Sequence, residues 1–118
     1  MNAAEAGDSE EARAYRLRVQ WPEDRIREFC DRWAITELAV FGSALGGDFR
    51  PDSDVDLLVS FAPSARWSLL DHIQIEEELS AVLGRQVDLI SRRSVERSEN
   101  WIRKRAILQS AEVIYAAR

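Results

Sequence analysis

Between Val40 and Phe61 the chain reads VFGSALGGDFRPDSDVDLLVSF. The apolar run that ends at Phe41 is broken by Gly42-Ser43, and residues 42–53 are mostly polar and glycine-rich at first. A second apolar run then opens with Asp54 and Asp56, one residue apart. Side chains two apart on a strand point to the same side, so the two carboxylates share a face, with their Cα atoms roughly 6.5–7 Å apart. Val55, Leu57 and Val59 take the opposite face, where a helix can cover them. The chain must therefore build a sheet whose second strand is core on one side and acidic at its leading end on the other.

The rest of the sequence supplies the helices and the remaining strands. Tyr15, Leu17, Val19 and Trp21 alternate with Arg16, Arg18 and Gln20, which predicts a short edge strand. Pro22 suits a first helical turn, and Ile26, Phe29, Cys30 and Trp33 form the apolar stripe of a helix running to about Trp33. Thr36–Phe41 reads as a buried strand, and DVDLLVSF (Asp54–Phe61) as the next. From Trp67 to about Leu83 the pattern is helical, with Gly84 as its stop. His72 and Glu76 stand four apart on that helix and are expected to pair with each other or reach the rim, a role near the site being the lesser reading. QVDLIS (Gln86–Ser91) is a third strand, residues from about Val95 to Gln109 a last helix, and EVIYA a final strand. Strands alternating with helices predict one α/β (α+β) domain over residues 15–118, after an acidic, disordered lead-in over residues 1–14.

Two neighbouring carboxylates repel and raise each other's pKa unless a cation lies between them. Magnesium is the natural candidate, because it is a hard ion that takes carboxylate oxygens together with substrate phosphates. Gly42-Ser43 fits that chemistry: a strand that turns at Gly-Ser into a helix offers backbone N–H groups and a hydroxyl to a phosphate. Asp88 is a third acid, flanked by Val87 and Leu89 and so pointing away from their face. If its strand neighbours the second, Asp88 can share the metals or take a proton from an attacking hydroxyl. A calcium loop is excluded, since Leu57 stands where its glycine is required and Pro63 where its bidentate glutamate belongs.

Other classes fall away on composition. Cys30 is the one cysteine and His72 the one histidine, which rules out an internal disulfide and a multi-histidine zinc site and fits a cytoplasmic protein. Cys30 reads as a buried core thiol. No apolar run approaches the roughly 20 residues of a membrane span, and the N-terminus has no signal-peptide core. A formal net charge of −5 argues against stable nucleic-acid binding. The stretch from Arg92 to Arg105 is nevertheless basic, with Arg92, Arg93, Arg97, Arg103, Lys104 and Arg105 against Glu96 and Glu99.

The combination GS, ten residues, DVD and a later VDLI resembles the polymerase-β-type nucleotidyltransferases, and the ten-residue spacer is the form seen in the small MNT (minimal nucleotidyltransferase) antitoxins. The resemblance runs from about Pro22 to Tyr115. It implies a mixed β-sheet with helices packed on it. It implies that Gly42 and Ser43 hold nucleotide phosphates, that Asp54 and Asp56 bind two magnesium ions, and that Asp88 completes the metal site and helps activate the acceptor. Arg50 either steadies the triphosphate or bridges to Asp48 or Asp52. The implied reaction is transfer of AMP from ATP to a tyrosine of a HEPN-type RNase toxin, which silences it. Trp67, Trp101, the basic helix and the edge strand are the candidate grips for such a partner. Neutralisation by contact alone, and transfer to a small molecule or an RNA end, are the alternatives.

Overall fold

A computed structural model describes residues 9–41 and 54–117. Its elements, in order, are α1 (Glu10–Val19), α2 (Glu23–Arg32), β1 (Ile35–Phe41), β2 (Val55–Phe61), α3 (Leu69–Leu83), β3 (Val87–Ser91), α4 (Arg92–Glu96), α5 (Trp101–Ser110) and β4 (Glu112–Ala116). The four strands form one mixed sheet in the order β3-β2-β1-β4. β1 is antiparallel to both β2 and β4, while β2 and β3 are parallel and joined through α3.

The period-two pattern of the strands divides the core in two. Leu38, Val40, Val55, Leu57, Val59, Val87, Leu89 and Ile114 turn to one face and pack with Tyr15, Ile26, Phe29, Ile75 and Leu79 from α1, α2 and α3. Ala39, Phe41 and Leu58 turn to the other face and meet Val95 and Ile107 from α4 and α5 in a smaller cluster. The acids of β2 and β3 lie on this second face.

The N-terminal segment differs from the expectation. Residues 15–19 of the expected edge strand, and residues 10–14 of the expected lead-in, belong to helix α1. Ser9 caps it by accepting from the Ala12 N–H, and Gln20 closes it with φ 53°. Ala12, Tyr15 and Val19 make the buried stripe, whereas Leu17 is 80% exposed. Alternation would have buried Leu17 together with Tyr15 and Val19; the helical spacing that won satisfies only the latter two.

The last helix is two helices. Ser91 caps α4 by accepting from the Ser94 N–H, and Asn100 caps α5 by accepting from the Arg103 N–H. Lys104 Nζ donates to the Glu96 carbonyl at 2.8 Å across the break. The helix expected from Trp67 starts at Leu69, where Ser68 and Asp71 form a capping box, and it ends at Gly84 with φ 68°. His72 and Glu76 do not pair with each other. His72 Nε2 donates to the Leu89 carbonyl at 2.8 Å, and Glu76 Oε2 accepts from the Leu89 N–H at 2.7 Å. An unpaired strand edge was the stronger claimant on both side chains.

Candidate active site

The site is built at the leading ends of β2 and β3. The Val55 N–H donates to the Gln86 carbonyl at 2.9 Å, which ties the two strands together where they begin. The register then sets Asp56 directly opposite Asp88 and Leu57 opposite Leu89. Opposed residues of a parallel pair point to the same face, so Asp56 and Asp88 stand side by side on adjacent strands, about 4.8 Å apart along the sheet. On its other flank Asp56 faces Phe41 of β1. Asp54 lies two residues before Asp56, exposed at the rim.

The electrostatics follow from this placement. Asp56 is half-buried between Phe41 and its strand neighbours, and Asp54 and Asp88 are both exposed. Burial, then the charge of Asp88, then that of Asp54 push the Asp56 carboxyl above its ordinary value of 3.8. Asp56 therefore feels both neighbouring acids. Among the described residues, no basic side chain forms an ion pair with any of them.

Among the described residues, no three acid, histidine or cysteine side chains close on one point as a metal cage. The aspartates lie in a row along the leading ends of β2 and β3. A donor set of that kind suits a hard ion that arrives with phosphate ligands and keeps part of its water shell, which is how magnesium binds at nucleotide sites.

Gly42, Ser43 and Arg50, the residues expected to hold nucleotide phosphates, lie outside the described residues. Of the expected partner-gripping groups, Trp101 is 66% exposed and Trp67 is 39% exposed. Trp67 is already engaged: its Nε1–H donates to the Trp33 carbonyl at 2.9 Å, and the two rings meet edge to face at 5.2 Å. The basic stretch is partly used internally, with Arg92 paired to Glu37 at 3.3 Å. The edge strand expected at Tyr15–Trp21 is replaced by helix α1. His72 and Glu76, with Ser80, which sequence reasoning does not single out, form a polar stripe on α3 that reaches the backbone on either side of Asp88. Its signal was the four-residue spacing, and its meaning depended on β3 being an edge.

Among the described residues, Asp54, Asp56 and Asp88 share the leading end of β2 and β3, on the sheet face opposite the larger core. The chain belongs to the nucleotidyltransferase domain family, which it matches over residues 23–114, and it is a nucleotidyltransferase. Among individual proteins it is similar to the protein adenylyltransferase MntA of Thermococcus cleftensis, with 44% identity over 69 residues that make up 58% of this chain and 68% of that protein. Two solved structures share the fold. One is a toxin–antitoxin structure with AMP-PNP (17% identity, TM-score 0.61, covering 82% of this chain and 75% of that one). The other is a tri-AMPylated Shewanella oneidensis HEPN toxin in complex with MNT antitoxin (16% identity, TM-score 0.51, covering 84% of this chain and 73% of that one). Among the described residues, no helix is long and apolar enough to cross a membrane.

Proposed function

We propose that this nucleotidyltransferase moves AMP from ATP onto a tyrosine of a HEPN-type RNase toxin and thereby neutralises it. The observation that carries the reading is the register of Asp56 against Asp88, with Asp54 two residues before. The relative named a protein adenylyltransferase and the fold shared with the AMPylated toxin complex support the choice of a protein acceptor.

In this reading the acceptor hydroxyl oxygen bonds to the α-phosphorus as the link from that phosphorus to the β-phosphate oxygen breaks. Pyrophosphate leaves with the electron pair. Asp88, exposed beside Asp56, takes up the hydroxyl proton. Two magnesium ions, held by Asp54, Asp56 and Asp88 with phosphate oxygens, would supply neutralisation of the negative charge on the attacking and departing oxygens. Asp56 orients the nucleotide from its half-buried place between Phe41 and Asp88. Gly42 and Ser43 are assigned to the phosphates, and Arg50 to the triphosphate. An adenylate on the toxin adds bulk and negative charge where RNA must bind, which accounts for silencing.

The test incubates the chain and a HEPN-type toxin with magnesium and α-labelled ATP. Label on the toxin tyrosine is expected with the native chain and none with Asp54→Ala/Asp56→Ala. Full protection of cells by the double variant at matched expression would show that contact alone neutralises the toxin.

A further inference from the structure

We propose that Glu76, Ser80 and His72 of α3 are positioning residues that fix Asp88 in place by clamping the outer edge of β3; the role rests on the reading of Asp88 given above. Among the described residues, β3 has a strand on one side only. Successive residues of a strand aim their backbone N–H and C=O groups to alternate sides. Gln86 directs its carbonyl to β2, where it accepts from the Val55 N–H, so Asp88 also turns its backbone inward. Val87 and Leu89 turn theirs outward, to the edge where a further strand would pair.

Helix α3 takes the place of that strand. It presents one polar side chain per turn, at positions four apart, along the edge. Ser80 Oγ accepts from the Val87 N–H at 3.0 Å and donates to the Glu76 carbonyl at 2.8 Å. Glu76 Oε2 accepts from the Leu89 N–H at 2.7 Å. His72 Nε2 lies 2.8 Å from the Leu89 carbonyl, and because a carbonyl only accepts, that nitrogen carries the proton. Val87 and Leu89 are thus held from outside while Asp88 is held from inside by β2. Three consecutive residues are fixed, and the middle one is the acid.

The arrangement exceeds what edge protection alone needs, since lysine, proline or a bulge blunts an edge without fixing it. The bond from the Leu89 N–H ends on a carboxylate, the stronger kind of acceptor. Its effect is to hold the Asp88 backbone in the register that sets this side chain against Asp56. Misplacing a proton acceptor by about 1 Å can cost of order a hundredfold in rate, so a loosened edge reads out in turnover before it reads out in nucleotide binding.

The test compares Glu76→Ala, Glu76→Gln, Ser80→Ala and Asp88→Ala with the native chain. Glu76→Gln keeps an oxygen for the Leu89 N–H and Glu76→Ala does not. The readouts are kcat and KM for ATP in adenylyl transfer to the partner toxin, and amide hydrogen exchange at Val87 and Leu89. Glu76→Ala is expected to lower kcat at least tenfold, to leave KM for ATP within about twofold, and to speed Leu89 exchange at least tenfold. Glu76→Gln is expected to restore kcat to within about threefold of native. Ser80→Ala, a smaller change that still folds if Glu76→Ala does not, should speed Val87 exchange and lower kcat at unchanged KM. Native kcat in Glu76→Ala or Ser80→Ala, while Asp88→Ala abolishes transfer, would overturn the clamp and leave the catalytic reading standing. Failure of Glu76→Gln to recover turnover would also overturn it. Transfer retained by Asp88→Ala would overturn the catalytic reading and the positioning role together.

Discussion

Leu57 and Asp56 are neighbours on β2 with opposite duties, and substituting each in turn separates packing from chemistry. Leu57 is fully buried among β1, β3 and the helices of the larger core. Leu57→Ala removes its transfer free energy and leaves a cavity, at a cost of about 3–5 kcal/mol, a large part of the 5–15 kcal/mol by which a typical domain is stable. For a chain of this size that lowers Tm by of order 10–20 °C. Asp56→Asn should do the reverse. The Asp56 carboxyl lies above its ordinary value of 3.8 because burial, Asp88 and Asp54 disfavour its charge. A raised carboxyl pKa means that the folded chain holds a proton that the unfolded chain has released. The stabilisation is complete below the ordinary value and is lost as pH rises through the raised one, so at neutral pH the charged group is a net cost. Without divalent cations, Asp56→Asn is therefore expected to melt above the native chain at pH 7, with the difference vanishing as pH falls below about 4, while transfer is lost. Differential scanning calorimetry of both variants in EDTA across that pH range is the assay. A Leu57→Ala chain that melts with the native protein, or an Asp56→Asn chain that melts below it at pH 7, would refute the division of β2 into a packed face and an acidic face.

Three further outcomes follow from other parts of the fold. Cys30 is buried, and burial with the nearby Asp31 charge pushes its thiol up to about 12, so a thiol-specific reagent at pH 8 should leave it unmodified until the chain unfolds; rapid native-state labelling would contradict its place in the core. Ala34 has φ 57° and Gly84 has φ 68°, so Ala34→Gly should raise stability by about 1 kcal/mol and Gly84→Ala lower it by a similar amount, both read by urea denaturation. Ser68→Ala, which dismantles the α3 capping box, should cost about 1 kcal/mol without altering transfer, measured by denaturation and by label incorporation.

Much of this architecture is legible in the sequence. β2 declared itself because Val55, Leu57 and Val59 alternate with Asp56 and with Asp54 before it, a pattern no helix can use. Gly84 marked the end of α3 because the left-handed turn there favours a residue without Cβ. The parallel neighbourhood of β2 and β3 was within reach, since a strand, a helix and a strand in succession commonly make adjacent parallel strands. The register that sets Asp56 against Asp88 was not, because it depends on where the connection lets β3 begin. Helix α1 was misread because Tyr15 and Val19 are buried by both a helical and a strand period, and only the exposure of Leu17 decides between them. The pairing of His72 with Glu76 was a local inference. It lost to a non-local demand, the bare edge of β3, that no four-residue spacing reveals.

Paramagnetic broadening tests most directly whether the three acids share one cation-and-nucleotide site. With manganese in place of magnesium and a non-hydrolysable ATP analogue bound, amide signals should broaden most at residues 54–57 and 87–89. The broadening should weaken along the strands toward Phe61 and Ser91, where β2 and β3 end. Broadening centred on those far ends, or unchanged when Asp54 and Asp56 are both replaced by asparagine, would contradict the account.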